Sequence, residues 1–167
     1  MKTCSRLVSI ACAALTSAAA PLPSQTLGSA APDFTLKTLS GDSARLSNFR
    51  GRPVFLNFWA SWCVVCRAEM RDIVTAYNAD KDQCLVVLAI NLTDQERRKD
   101  VRTFVEELEM PFPVLLDEKG KIRERYALRG VPTSVFIDAQ GVVRVVNPGP
   151  IASEAIQHGL AEILPAR

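Results

Sequence analysis

Residues 53–60 read PVFLNFWA, a nearly continuous apolar run rich in β-formers that predicts a strand buried on both faces. Beyond it the apolar period lengthens. Met70, Ile73, Val74 and Tyr77 recur at three- and four-residue spacing, which predicts an amphipathic helix over residues 63–78. Strand followed by helix is half of a βαβ unit. A second buried strand is predicted over 85–91. A charged helix over 95–109 follows, with Val101, Phe104, Val105 and Leu108 on its apolar face and Pro111 as its stop. Residues 112–116 read as a short extended segment and 119–126 as a short helix. The run 133–138 is a strand that Ala139-Gln140-Gly141 turns into a partner over 142–146. After the breaker cluster Asn147-Pro148-Gly149-Pro150, apolar Ile151, Ala155, Ile156, Leu160, Ile163 and Leu164 predict a last amphipathic helix. At the front, 33–36 and 44–49 predict a smaller hairpin around Ser40-Gly41-Asp42. This order predicts an α/β sandwich on a mixed sheet.

The first twenty residues follow another pattern. Lys2 and Arg6 precede an apolar stretch from Leu7 to Leu15, and a small-residue run ends Ala18-Ala19-Ala20-Pro21. That is the order of a charged region, an apolar region and a cleavage zone. The stretch is shorter than the roughly 20 residues a spanning helix needs, and Ser9, Thr16 and Ser17 interrupt it. It predicts a signal peptide over 1–20, with retention as a membrane anchor as the alternative. Cys12 raises a lipoprotein reading that its early position and poor surroundings disfavour. Residues 21–30 then read as a linker and 31–167 as one domain, so the mature protein is expected to be exported, periplasmic or otherwise extracytoplasmic.

Length and composition narrow this further. With 167 residues, 48% of them hydrophobic, the chain can bury one core and has no room for a second domain. All 18 acidic residues lie beyond Ala20, whereas Lys2 and Arg6 leave with the leader, so the mature charge is balanced. The formal +2 is therefore no argument for nucleic acid or acidic lipid. Removing Cys4 and Cys12 with the leader leaves Cys63, Cys66 and Cys84, too few for a disulfide framework. Cys84, heading the run CLVVLAI, reads as a small buried hydrophobe.

The close pair lies in FWASWCVVCRAEM, residues 58–70, where the first predicted strand gives way to its helix. A working dithiol, a metal clip and a static staple all use such spacing. Structural zinc wants four ligands, and no second Cys/His pair is present. A staple closing so small a loop constrains the unfolded chain little and so stabilises little. A thiol attacks a disulfide as the thiolate. At the first turn of a helix, unpaired N–H groups and the helix dipole favour that charge and lower the Cys63 pKa. Cys63 is thus the candidate nucleophile, and Cys66, one turn on and facing inward, the resolving thiol.

Three stretches together carry a wider resemblance: 31–70 (APDFTLKTLSGDSARLSNFRGRPVFLNFWASWCVVCRAEM), 112–117 (FPVLLD) and 130–141 (GVPTSVFIDAQG). In this order they resemble the exported thioredoxin-like proteins of the TlpA/ResA group, in the AhpC/TSA-redoxin superfamily, over about 31–164. The resemblance implies a thioredoxin fold with an added N-terminal β-hairpin, its central mixed sheet flanked by helices. It implies a protein thiol-disulfide oxidoreductase acting outside the cytoplasm, with the Cys63-Cys66 pair as its only redox centre and no cofactor or metal. Members of the group often keep apocytochrome c cysteines reduced, drawing electrons through a membrane thiol transporter. The implied partners are protein clients and that transporter, with no nucleic acid.

The same resemblance places Val131-Pro132-Thr133 opposite the dithiol with Pro132 cis, an isomer accessible mainly before proline. There Val131 would pair with an extended substrate segment. Trp62 is expected to shield one side of the pair, while Trp59 reads as core. Arg67 and Glu69 read as solvated helix residues, although the group often has Glu at the latter position. Two positions bear on mechanism. Asn57 stands where cytoplasmic thioredoxins have a buried acid, so a substitute acid is sought in Asp94, against the alternative that Thr93 or Asp94 caps the next helix. Val64-Val65 replaces the usual residue pair ending in proline, which leaves redox potential and client choice open. Two rival functions remain. A thiol peroxidase would want Pro and Thr where this chain has Leu56 and Ala60. A copper carrier would want a histidine beside the thiolates, and the only one is His158.

Overall fold

A computed structural model describes residues 26–165; the leader over 1–20 and the first half of the linker lie outside the described residues. The elements are β1 (Thr35–Thr38), β2 (Ser43–Arg45), β3 (Val54–Trp59), α1 (Val64–Asp80), β4 (Val86–Asn91), α2 (Arg98–Glu107), β5 (Val114–Leu116), α3 (Lys121–Arg125), β6 (Thr133–Ile137), β7 (Val143–Pro148) and α4 (Ser153–Ala161). One seven-stranded sheet runs in the order β2-β1-β5-β4-β3-β6-β7. Strands β3, β4 and β5 are parallel, while β6, β7 and the front hairpin pair antiparallel. The sheet is therefore mixed, as the element order predicts.

Strand periodicity sorts the core into two layers. Phe55 and Trp59 face one side, where Met70 and Ile73 of α1, Phe104 of α2 and Leu160 of α4 cover them. Leu56 and Phe58 face the other, against Leu88, Ile90 and Tyr126. Each large side chain so buried contributes about 1.5–3 kcal/mol. Between Phe55 and Trp59 the same alternation delivers a polar residue, Asn57, into the α1 layer. Glycine is used where α4 crosses the sheet: a Cβ on Gly159 would lie 2.5 Å from the Phe136 ring, which stacks on Phe55 at 4.3 Å between centroids.

The chain enters alongside β7. Gly28 N–H donates to Val143 O and Val143 N–H to Ser29 O, at 2.8 and 2.9 Å, and Ala31 N–H donates to Gly141 O at 2.9 Å. Because Val54 pairs with Ile137, this clasp lies at the start of β3, the pole opposite the cysteines.

Three local expectations need correction. Residues 46–49 are not strand: Leu46–Phe49 form a 3-10 turn that tucks Leu46 into the core. The charged helix begins only at Arg98, and neither Thr93 nor Asp94 caps it; Thr93 Oγ1 instead donates to Asn91 Oδ1 at 2.8 Å. Cys84 is exposed. It ends a 3-10 turn in the left-handed region at φ 62°, so burial starts one residue later, at Leu85.

Candidate active site at the end of β3

The parallel strands β3 and β4 end at the same pole, and there the loop 60–62 leads into α1. Cys63 is the N-cap of this helix, with extended backbone, and its Sγ accepts the Cys66 N–H at 3.2 Å. Cys63 and Cys66 form a disulfide, with Cα atoms 5.2 Å apart. Cys63 and Cys66 are themselves buried, whereas the residues flanking them are not. Trp62, Val64 and Val65 are 55, 84 and 47% exposed, three of the few large apolar side chains so placed among the described residues. Trp62, next to Cys63 in the chain, is therefore not packed into the fold.

Trp59, by contrast, is core, as the sequence suggests. It stacks on Phe104 at 4.4 Å, and the Arg67 guanidinium lies 4.6 Å from the centre of the Phe104 ring. Arg67 also donates to Glu107 at 2.6 Å, so its charge is tied to α2. An arginine over an aromatic face gains from the ring quadrupole as well as from the ion pair.

Glu69 overturns its expectation. It is 4% exposed, because a position three residues after Cys66 falls on the inward face of α1. Its Oε1 accepts from Asn57 Nδ2 at 2.6 Å and its Oε2 from the Ile151 N–H at 3.0 Å. Burial pushes its pKa up to about 7, against the lowering effect of those two donors. Asn57 Nδ2 also reaches Ser134 Oγ at 3.1 Å, whereas Asn57 Oδ1 is a buried acceptor with no partner. The polar signal was readable: Asn57 in an otherwise apolar strand, and an acid in phase with Cys66.

Val131-Pro132 is a cis peptide bond at the head of β6, and Val131 packs against the core cluster that holds both cysteines. Pro132 O accepts from Gly149 N–H at 2.9 Å, and Thr133 Oγ1 donates to Gly130 O at 2.9 Å. Among the described residues no hydrogen bond engages the Val131 N–H or carbonyl. Asp94 is held elsewhere, by Arg123 of α3 at 3.1 Å and beside Gly120. Sequence reasoning passed over Glu96. Its carboxylate binds Ser61 and Asn91 at the edge of the dithiol loop, and an acid in the loop after a parallel strand was the available cue. Leu56 and Ala60 are buried, and His158 is exposed on α4. No group of three His, Cys, Asp or Glu side chains among the described residues is arranged to hold a metal.

Comparison with known proteins places this geometry. The AhpC/TSA family profile matches residues 27–146. The thioredoxin-like protein YneN of Bacillus subtilis is 38% identical over 80% of this chain and 78% of its own. The thiol-disulfide oxidoreductase ResA of Geobacillus kaustophilus is 37% identical over 83% of this chain and 79% of its own. A crystal structure of a putative thiol:disulfide interchange protein DsbE from Chlorobium tepidum superposes with a TM-score of 0.76 at 33% identity, over 83% of this chain and 97% of that one. The fold is that of thioredoxin, and the chain belongs to the AhpC/TSA family, as a thiol-disulfide oxidoreductase of the ResA and DsbE type.

Proposed function

We propose that this protein reduces disulfides in protein clients outside the cytoplasm, with apocytochrome c cysteines as the client class that the family resemblance suggests. The observation that carries the reading is the Cys63-Cys66 pair at the N-terminus of α1, flanked by exposed Trp62, Val64 and Val65. In the reduced enzyme the Cys63 thiolate attacks a client disulfide. A Cys63–client bond forms, the client disulfide breaks, and the departing client thiolate takes a proton. Cys66 then loses its proton and attacks Cys63 Sγ. The internal disulfide closes and the second client sulfur leaves as a thiol. Two electrons have passed to the client, and an upstream dithiol, in our reading a membrane thiol transporter, returns them.

Glu69 suits the second step. A buried carboxylate with a pKa of about 7, one helical turn from Cys66, can take the Cys66 proton near neutral pH. This role replaces the one sought in Asp94. The free Val131 backbone groups suit a client segment lying extended beside the disulfide, held by strand-like pairing. Thr133 and Pro132, both bonded within the fold, then serve to hold Val131 in place. The predicted leader supports export. Among the described residues no helix is long and apolar enough to cross a membrane.

The test is a pair of variants. Cys63→Ser should abolish disulfide exchange, and Cys66→Ser should accumulate a mixed disulfide through Cys63. A Cys66→Ser protein that captures client through another cysteine, or captures none, overturns the assignment.

A further inference from the structure

The loop that presents Cys63 is tied to a carboxylate from the segment that follows β4. Glu96 lies beyond β4, in extended backbone between a 3-10 turn (Thr93–Gln95) and α2. Its Oε1 accepts the Ser61 N–H at 2.9 Å and Asn91 Nδ2 at 2.7 Å, while its Oε2 accepts the Ser61 hydroxyl. The Asn91 amide is itself set. Asn91 is fully buried, and its Oδ1 accepts from Thr93 Oγ1, which turns Nδ2 toward Glu96. On the loop side, Cys63 N–H closes a turn on Ala60 O at 3.2 Å, and Leu92 N–H holds Trp59 O at 3.0 Å. The result is a continuous relay, Thr93 to Asn91 to Glu96 to Ser61, ending two residues before the nucleophile. Two residues span at most about 7 Å, so the carboxylate lies within roughly 10 Å of Cys63. No cation pairs with it among the described residues.

We propose that Glu96 is a positioning residue that fixes the 60–63 turn through Ser61, and that its uncompensated charge keeps the Cys63-Cys66 couple on the reducing side. An anion there opposes the helix N-terminus, which favours the Cys63 thiolate. A less favoured thiolate makes the dithiol form less stable relative to the disulfide, so electrons leave more readily. The inference rests on Cys63 as the attacking sulfur and is read on Cys63 itself.

The experiment measures the pH profile of Cys63 alkylation in the reduced full-length protein and its equilibrium with glutathione at pH 8. Glu96 sits partly exposed in a loop, where a glutamine of the same shape is accommodated. Glu96→Gln should lower the alkylation midpoint by roughly half to one unit. It should also move the glutathione equilibrium toward the dithiol, by at most roughly three- to tenfold. Glu96→Asp, which keeps the charge, should stay near the wild-type midpoint. Asp94→Asn, which removes a charge already paired with Arg123, should leave the profile in place. A Glu96→Gln profile superimposable on wild type overturns the inference, as does an equal shift in Glu96→Asp or Asp94→Asn. Such a result in an enzyme that still exchanges disulfides through Cys63 leaves the proposed function standing. Wild type without Cys63-dependent exchange removes both.

Discussion

Glu69→Gln offers a quantitative test of the buried site. In wild type the carboxyl group titrates at about 7 in the fold against an ordinary value of 4.5, because burial penalises the ionised form. A folded-state pKa above the unfolded one means that the associated stability is fully present below about 4.5. It is lost progressively as pH rises to about 7. The difference is about 2.5 units at about 1.4 kcal/mol each, so ionising Glu69 costs about 3 kcal/mol of folding stability at pH 8. Glutamine does not titrate, and its hydrogen bonds can be completed. Its oxygen can accept the Ile151 N–H, and a rotated Asn57 amide presents its unpartnered Oδ1 to the new NH2 group. Urea unfolding of the oxidised proteins at pH 4.5, 6 and 8 should therefore show near-equal stability at the acid end. At pH 8 the variant should gain up to about 3 kcal/mol. A stability difference that does not change with pH would refute the reasoning, since it would mean that Glu69 titrates alike in the folded and unfolded states.

The same Glu69→Gln protein should release a Cys63 mixed disulfide at least about tenfold more slowly at pH 7, measured by stopped-flow quenching; unchanged release would return the proton to solvent. Gly159→Ala should destabilise by about 1–3 kcal/mol in urea unfolding, because its Cβ would lie 2.5 Å from the Phe136 ring. Cys84 should react with a maleimide in the native, oxidised protein, and Cys84→Ser should change stability by less than about 0.5 kcal/mol; protection of that thiol would contradict its exposure.

Much of the fold was legible because each layer repeats one signal. The apolar runs at 53–60 and 85–91 are β3 and β4 to within two residues, and the spacing of Met70 and Ile73 marks the buried face of α1. The cysteine pair was readable from its spacing, whereas the cis Pro132 was readable only through the resemblance of residues 130–141. What failed were positions whose environment comes from distant chain. Glu69 looks like a surface acid until α4's approach brings the Ile151 N–H and β3 brings Asn57 to it. Cys84 looks apolar by its neighbours, but one left-handed residue turns it outward. Glu96 gains meaning only from the parallel pairing of β3 and β4, which places Asn91 opposite Trp59 and so beside the dithiol loop.

The clasp of residues 28–31 on Gly141 and Val143 has a mechanical consequence. A pull transmitted through whatever precedes residue 26 reaches the sheet through the hydrogen bonds to Val143 and Gly141. Those bonds lie at the far end of β3, about 20 Å of strand away from the cysteines. Tension on a tether there would enter the sheet at the pole away from the turn at Cys63.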